Sequence, residues 1–444
     1  MFKIVSIIVV LMFLFGCQPS DSTTLRLGDP TSEKLIQLGA ADSKSTRKLP
    51  YSDDSTVSYC EVNLTTYEQK KTVRQYSGTD DLKLYPAASL SKIYLTAFVI
   101  FKFGLEHQFT HTIKIKRYSD KSADVYLDSD LDPIYNIEKA LYVMSLLQER
   151  GIRHIKHLYI SQNTRVFLSV LSNPHIELTE VPVSLSETLQ NFQLIFNSKN
   201  WGSQTQKAKV NLSSYLTQSG RNLRLVSDFS LDQVEVSDSN PFIADEDFVF
   251  YSAPMRDYLK EINVESNNYI SDAFFNVLGG AQEFFAFQTQ VLKLNADQLV
   301  MNTGSGLPVF AGQKRKDNRT TCRALIKALH YIKLKADSYQ INLGDILLMP
   351  DLDAGTYDSQ SVVINRSVVL KTGRLYDVPT LNLAGIASTG SGLMAFVFLG
   401  HNFDNADETL MKQKRDDFLS SLLNTYKPVS FFLKSTDKLS VFLD

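Results

Sequence analysis

The sequence predicts an α/β (α+β) fold in which a mostly antiparallel sheet is flanked by helices and a second domain is inserted. Three observations predict it. Ser91–Phe103 is strongly apolar, the mark of a buried helix. Near the C-terminal end, Ser367–Lys371, Leu381–Ile386 and Met394–Leu399 read as neighbouring strands, closed by a helix over Asp407–Tyr426. Between these two blocks, residues 110 to about 250 have a different texture. A chain of 444 residues is long enough for two or three domains.

The N-terminus does not belong to this fold. Met1-Phe2-Lys3 precedes an apolar run from Ile4 to Phe15, too short for a comfortable membrane span but suited to a secretory leader. It ends at Leu14-Phe15-Gly16-Cys17, which resembles a bacterial lipobox. That resemblance implies lipid on Cys17, cleavage just before it, and a chain tethered to a membrane on the periplasmic side. Gln18 after the cysteine favours the outer membrane. The alternative is an ordinary secreted protein cut nearby. Residues 18–55, rich in Ser, Thr, Asp and Lys, read as a flexible tether.

The remaining elements follow in order. Tyr59–Leu64 and Lys71–Tyr76 suggest a hairpin. In the inserted stretch, Thr112–Lys116, Ala123–Leu127 and His154–Ser161 read as strands, and Asn136–Arg150 as an amphipathic helix ended by Gly151. Lys207–Leu212 and Asn222–Val226 also look strand-like. Tyr269–Leu278 and Thr321–Leu334 are helices. Residues 56–110 and 250–430 therefore form one discontinuous domain, and 111–249 an inserted α/β domain.

Composition excludes several classes. Apolar residues make up 43% and charged residues 21%, an ordinary globular balance. A net charge of -2 gives no electrostatic case for nucleic acid. After Cys17 only Cys60 and Cys322 remain. An exported compartment permits a disulfide between them, and two unpaired buried thiols are an equal alternative.

Chemistry is carried by three short motifs in order: Ser89-Leu90-Ser91-Lys92, Ser266-Asn267-Asn268 and Lys371-Thr372-Gly373. Ser89 and Lys92 stand three apart, so a helix sets them on one face. A buried lysine loses proton affinity and can take the serine proton. Ser89 at a helix start has free N–H groups beside it, and its own amide is half of an oxyanion hole. Singly these motifs are weak. SxxK recurs at Ser45–Lys48 and Ser435–Lys438, and SxN recurs at Ser161–Asn163 and Ser198–Asn200. Only Ser89–Lys92 runs into an apolar helix, and only Ser266–Asn268 leads into an amphipathic helix ahead of the third motif. Lys371-Thr372-Gly373 is the sole KTG and ends a buried strand; its glycine lets a substrate backbone lie close.

The conjunction resembles the penicillin-recognising serine acyltransferases, and more finely the penicillin-binding protein 4-type D-alanyl-D-alanine carboxypeptidases, the S13 peptidases. Pro86-Ala87-Ala88-Ser89-Leu90-Ser91-Lys92, Asp132-Pro133, Gly304-Ser305-Gly306-Leu307, Leu348-Met349-Pro350 with Gly355-Thr356, and Leu383-Ala384-Gly385 resemble that family's segments. The resemblance covers roughly residues 56 to 425 and implies a transpeptidase/β-lactamase-like main domain. It implies Ser89 as acylated nucleophile, Lys92 as its base, Ser266 as proton relay and Asn268 as the group holding Lys92 and the substrate amide. Lys371 and Thr372 would bind the terminal carboxylate, and Gly373 and Arg374 would line the substrate strand, with the Arg374 amide as second oxyanion donor. The implied substrate is the peptidoglycan stem peptide, with β-lactams acylating the same serine. No cofactor is implied. The chain departs from the family at Arg374, where a small Thr or Ser is usual, at Thr303 before Gly304, and in a short interval from Ser89 to Ser266. These departures bear on substrate choice.

Other candidates are weaker. The pairs His107/His111 and His154/His157 have chelating spacings but no zinc-type acidic or cysteine cluster near them, so they read as exposed polar residues. No G-x-S-x-G elbow is present. Lys314-Arg315-Lys316 reads as a solvated loop, with contact to anionic glycan or lipid a minor option. A β-lactamase or esterase on the same scaffold, and a non-catalytic cell-wall binding lipoprotein, are the rival readings.

Overall fold

The C-terminal strands zip into one antiparallel sheet. Val368–Leu375 pairs with Thr380–Thr389, which pairs with Gly392–His401. Val57–Asn63, from the start of the domain, adds to Gly392–His401, and Ser77–Thr79 adds to Val57–Asn63. The computed structural model describes residues 54–64, 77–79, 83–133, 135–166, 183–218, 228–359 and 362–431. The leader with Cys17, the tether, the SxxK copies at 45–48 and 435–438, and the expected strands Lys71–Tyr76 and Asn222–Val226 lie outside the described residues.

Strand alternation gives this sheet two faces. One face carries Val369, Ala384, Ile386, Ala395 and Val397 into a core shared with the helices Ser91–Phe103 and Cys322–Tyr339. The other carries Leu370, Leu383, Phe396 and Phe398 against Glu408–Tyr426. Phe98, fully buried in the first core, contributes about 2–3 kcal/mol by leaving water. The sheet is therefore sandwiched between helices, the fold class expected from sequence.

A disulfide joins Cys60 on the sheet to Cys322 at the start of its helix, with Cα atoms 6.1 Å apart and a sequence separation of 262. Closing so long a loop restricts the unfolded chain and contributes roughly 2–4 kcal/mol.

A second five-stranded sheet is built from residues between Thr110 and Tyr251, in the order Ser230–Val236, His154–Ile160, Ser122–Asp128, Thr110–Arg117, Glu246–Tyr251. Its first two neighbour pairs are parallel and the rest antiparallel. The helices Ile137–Glu149, Leu185–Ile195 and Ser203–Gln218 cover one face of it around a separate core. The strand expected at Lys207–Leu212 is in fact the middle of the third helix. The period was misread: Ala208, Leu212 and Leu216 are buried at a spacing of four, whereas Val210, the residue that completes an alternating pattern, is 67% exposed.

His111 is also corrected. It is fully buried, stacked on Phe250 at 4.4 Å, with Nε2 3.1 Å from Asp132. Asp132 also pairs with buried Lys139 and accepts from the Tyr258 hydroxyl at 2.9 Å. Tyr258 sits on the helix Met255–Val264, so this polar cluster pins the second sheet to the main body. His107 stacks on Phe103 at 4.7 Å. His154 and His157 are half-buried on the second sheet, facing Asp232 at 3.1 Å and Asp124 at 3.2 Å. Lys314–Lys316 is a short strand of a hairpin with Val309–Ala311, not a loop.

Candidate active site

Ser89 lies in a tight 3-10 turn, Ala88–Leu90, that runs directly into the helix Ser91–Phe103. Residues three apart eclipse in such a turn, and Lys92 Nζ sits 3.1 Å from Ser89 Oγ. The turn is held from three sides. Asn382 donates its side-chain amide to the carbonyls of Pro86 (2.9 Å) and Ala87 (3.2 Å). Asn318 donates to Ser91 Oγ at 2.9 Å and to the Thr303 carbonyl at 2.7 Å. Gly306 packs so tightly that a Cβ there would lie 1.9 Å from the Ala88 carbonyl oxygen. Ala88 itself has φ 49°, a left-handed conformation that costs about 1–2 kcal/mol.

Lys92 is fully buried. Besides Ser89 it donates to Asn268 Oδ1 at 2.8 Å and to the Ser305 carbonyl at 2.7 Å. Burial drives its pKa down to about 7, and the charge of Asp272 pulls the other way. Near neutral pH a large fraction of this amine is unprotonated.

Asn268 opens the helix Asn268–Val277. Asn267 caps that helix by accepting from the Ile270 amide at 3.0 Å. Ser266, one residue earlier, has φ 55° and lines the same cleft as Ser89 and Asn268. One turn into the helix, Asp272 accepts from the Ser305 amide at 2.7 Å. It thereby fixes the loop whose carbonyl receives Lys92. Burial raises the Asp272 carboxyl above the usual carboxylate range, against the Ser305 hydrogen bonds and the Lys92 charge.

The third wall is the strand Val368–Leu375. Lys371 is fully buried, on the face that looks toward the Ser89 turn, and its ammonium reaches the Thr372 carbonyl at 3.2 Å. Burial first, and Lys92 second, push its pKa well below the usual lysine value. Gly373 sits against the nucleophile turn: a Cβ there would be 3.1 Å from both the Ala87 carbonyl and the Leu90 amide. Thr372 Oγ1 hydrogen-bonds Thr356 Oγ1 at 2.6 Å. The Arg374 side chain pairs with Glu408 and stacks on Tyr376 at 4.0 Å from the ring centroid.

Ser89, Ser266, Asn268, Thr372, Gly373 and Arg374 line one cleft of about 510 Å³. Lys92 and Lys371 lie immediately beneath it, so the three motifs converge. Cys17 is outside the described residues. The other SxN copies are elsewhere: Ser161 bonds Asp128 at 2.7 Å at the edge of the second sheet, and Ser198–Asn200 is a short 3-10 turn. Thr303 bonds the Leu307 carbonyl at 2.8 Å and receives the Gly306 amide at 3.2 Å, so this departure shapes the glycine loop. Sequence reading missed Asp272, Asn318 and Asn382. Asp272 had a signal, its spacing of four from Asn268 on one helix face. The two asparagines had none.

A serine beside a buried amine, with a second buried lysine close by, can open an acyl bond through a covalent serine adduct. Residues 233–422 match the model of the D-Ala-D-Ala carboxypeptidase 3 (S13) family. The matched span holds the SxN and KTG motifs; Ser89 and Lys92 lie outside it and join the site through the fold. Solved structures agree in fold. A predatory endopeptidase from Bdellovibrio bacteriovorus, in complex with an immunity protein, superposes with a TM-score of 0.76 at 23% identity, covering 87% of this chain and 100% of that one. A penicillin G-acylated predatory endopeptidase from the same organism gives 0.73 at 21%, covering 87% and 98%. Penicillin binding protein 4 from Haemophilus influenzae gives 0.53 at 14%, covering 91% and 100%. No curated protein sequence matches the chain.

Proposed function

We propose that this chain is a serine D,D-carboxypeptidase/endopeptidase of peptidoglycan stem peptides, working through an acyl-enzyme on Ser89 that β-lactams also form. One observation carries the reading. Lys92, fully buried with its pKa down near 7, is 3.1 Å from Ser89 Oγ and 2.8 Å from Asn268.

The steps follow from that geometry. Lys92 takes the Ser89 proton as Oγ attacks the carbonyl carbon of the penultimate residue. The oxyanion meets the backbone amides of Ser89 and Arg374, each worth roughly 3 kcal/mol where a donor is preorganised. Ser266 passes a proton to the departing amine, and the C–N bond breaks. Water then attacks the ester and frees Ser89. Lys371 and Lys92 share a buried space in which two ammonium charges disfavour each other. An arriving substrate carboxylate stabilises the charged form of Lys371 and leaves Lys92 as the neutral base. Asn268 keeps Lys92 aimed, and Thr372, braced by Thr356, presents its hydroxyl at the cleft.

The leader sequence supports export, and Cys17 a lipid tether facing the periplasm. The Cys60–Cys322 bond fits an oxidising compartment.

Labelling with a fluorescent penicillin tests acylation: wild type should form a covalent band and Ser89→Ala none. Following D-Ala release from a stem pentapeptide, and cleavage of a cross-linked dimer, tests the substrate. Turnover of penicillin without release of D-Ala would overturn the peptidase reading in favour of a β-lactamase.

A further inference from the structure

A second cavity, of about 420 Å³, opens next to the catalytic cleft. Only the turn at residues 376–379, after the KTG strand, divides the two: Asp377 lines the catalytic cleft and Val378 lines the second cavity. Tyr85 and Pro86, on the segment that delivers Ser89, line this cavity too. Its wall includes the Tyr85 ring, tilted against His401 with ring centroids 4.1 Å apart.

The charges around it are unbalanced. Lys83, Arg315, Lys316 and Arg319 line it, against the single carboxylate of Asp317. Arg315 holds Asp317 at 2.7 Å and also pairs with Asp377, which clamps the dividing turn. Lys83, Lys316 and Arg319 have no carboxylate partner among the described residues; Lys83 lies over the Tyr85 ring at 5.4 Å. A cluster of cations around a concavity is uncommon chemistry for a chain of net charge -2, and it raises the local concentration of anions. Val300, Val378 and Tyr85 give the cavity apolar wall as well. That mixture suits a carboxylate carried on an aliphatic stem better than a small bare ion.

We propose that this cavity is a subsite for the free carboxylates of a second peptide stem, adjoining the stem whose bond is cut in the catalytic cleft. The assignment rests on the stem-peptide reading above. Cross-linked stems carry free carboxylates on both peptides, so a dimer offers the cavity its ligand when one stem occupies the cleft. The basic run Lys314–Lys316 thereby gains a role through Lys316 and Arg315.

The test measures binding apart from turnover. The Ser89→Ala protein is titrated with a fluorescently labelled cross-linked stem-peptide dimer, and with the same dimer amidated at every carboxylate except the one beside the scissile bond, which Lys371 receives. The acidic dimer should bind roughly tenfold more tightly, the size expected of several partly exposed ion pairs together. Adding salt should shrink that ratio, and Lys83→Ala, Lys316→Ala and Arg319→Ala combined should abolish it. Equal affinities, no binding of either dimer, or a ratio that survives the triple substitution would overturn the proposal. Cleavage of the acidic dimer by wild type is scored separately. Selective binding without cleavage sinks the peptidase reading and leaves the subsite; cleavage without selectivity does the reverse.

Discussion

Two regions of this molecule bury a lysine completely, and they treat it in opposite ways. Beside the second sheet, Lys139 on the helix Ile137–Glu149 faces the carboxylate of Asp132, with His111 and Tyr258 completing the cluster. Beneath the catalytic cleft, Lys92 faces three uncharged oxygens, from Ser89, Asn268 and Ser305. A buried ion pair keeps its charges because each offsets the other's desolvation. A buried amine among neutral acceptors gives up its proton instead. The first arrangement pins two parts of a fold; the second makes a base. What separates structure from chemistry here is the partner's charge, not the depth of burial.

The largest effect that can break this comparison is at Lys92. Lys92→Met should lower the rate of penicillin acylation about 10³-fold, within the range for loss of a general base. In wild type, the acylation rate constant should rise with pH through about 7, because only the unprotonated amine accepts the Ser89 proton. A flat profile between pH 5.5 and 8.5 would remove Lys92 as the base.

At the other lysine the loss should fall on stability. Lys139→Met strands the Asp132 carboxylate in the core and should cost about 3–5 kcal/mol in denaturant unfolding, with folded protein still acylated by penicillin. Asp132 adds a pH signature. Burial raises its pKa, but Lys139 and His111 overcome that and hold it well below the usual carboxylate value. A depressed carboxyl contributes stability above the unfolded value, about 4, and loses it as pH falls toward the folded value. Asp132→Asn should therefore flatten the acid limb of the stability curve below pH 4, read by melting temperature. Should Lys139→Met abolish acylation while leaving stability intact, the contrast between the two lysines fails.

The two regions were unequally legible in the sequence. The nucleophile helix and the KTG strand announce themselves, since Ser89–Lys92 precedes a run from Ile93 to Phe103 broken only by Thr96 and Lys102, and Lys371 follows a strand too apolar to be exposed. The buried cluster was invisible: His111, Asp132, Lys139 and Tyr258 come from four elements, and nothing local shows that they meet. His111 accordingly reads as exposed from sequence alone, yet is fully buried. The same limit applies to Cys60 and Cys322, whose pairing spans 262 residues, and to Asn318 and Asn382, which act only by reaching the nucleophile turn across the fold. The helix Ser203–Gln218 failed for another reason. Ala208, Val210 and Leu212 satisfy a period of two over six residues, while Ala208, Leu212 and Leu216 satisfy the helical one, and only the polar Ser214 breaks the alternation.

The smallest effect sharpens the comparison most. Asp272 is the nearest thing Lys92 has to a counter-charge, yet it binds the Ser305 amide rather than the amine itself. Its charge pulls the Lys92 pKa upward, against the larger effect of burial. Asp272→Asn keeps the oxygen that accepts from Ser305 and removes the charge. The ascending limb of the acylation profile should therefore move to lower pH, by less than Lys92 burial moved it, with the plateau rate reduced no more than about threefold, since loss of one partly solvated charge interaction is worth below 1 kcal/mol. Asp272→Ala removes the acceptor as well, so the Ser305 loop loosens and the plateau itself should drop. If Asn and Ala behave alike in plateau and in pH dependence, Asp272 supports the loop without touching the electrostatics of the base. If the limb shifts upward in Asp272→Asn, the assignment of Lys92 as the titrating group is wrong.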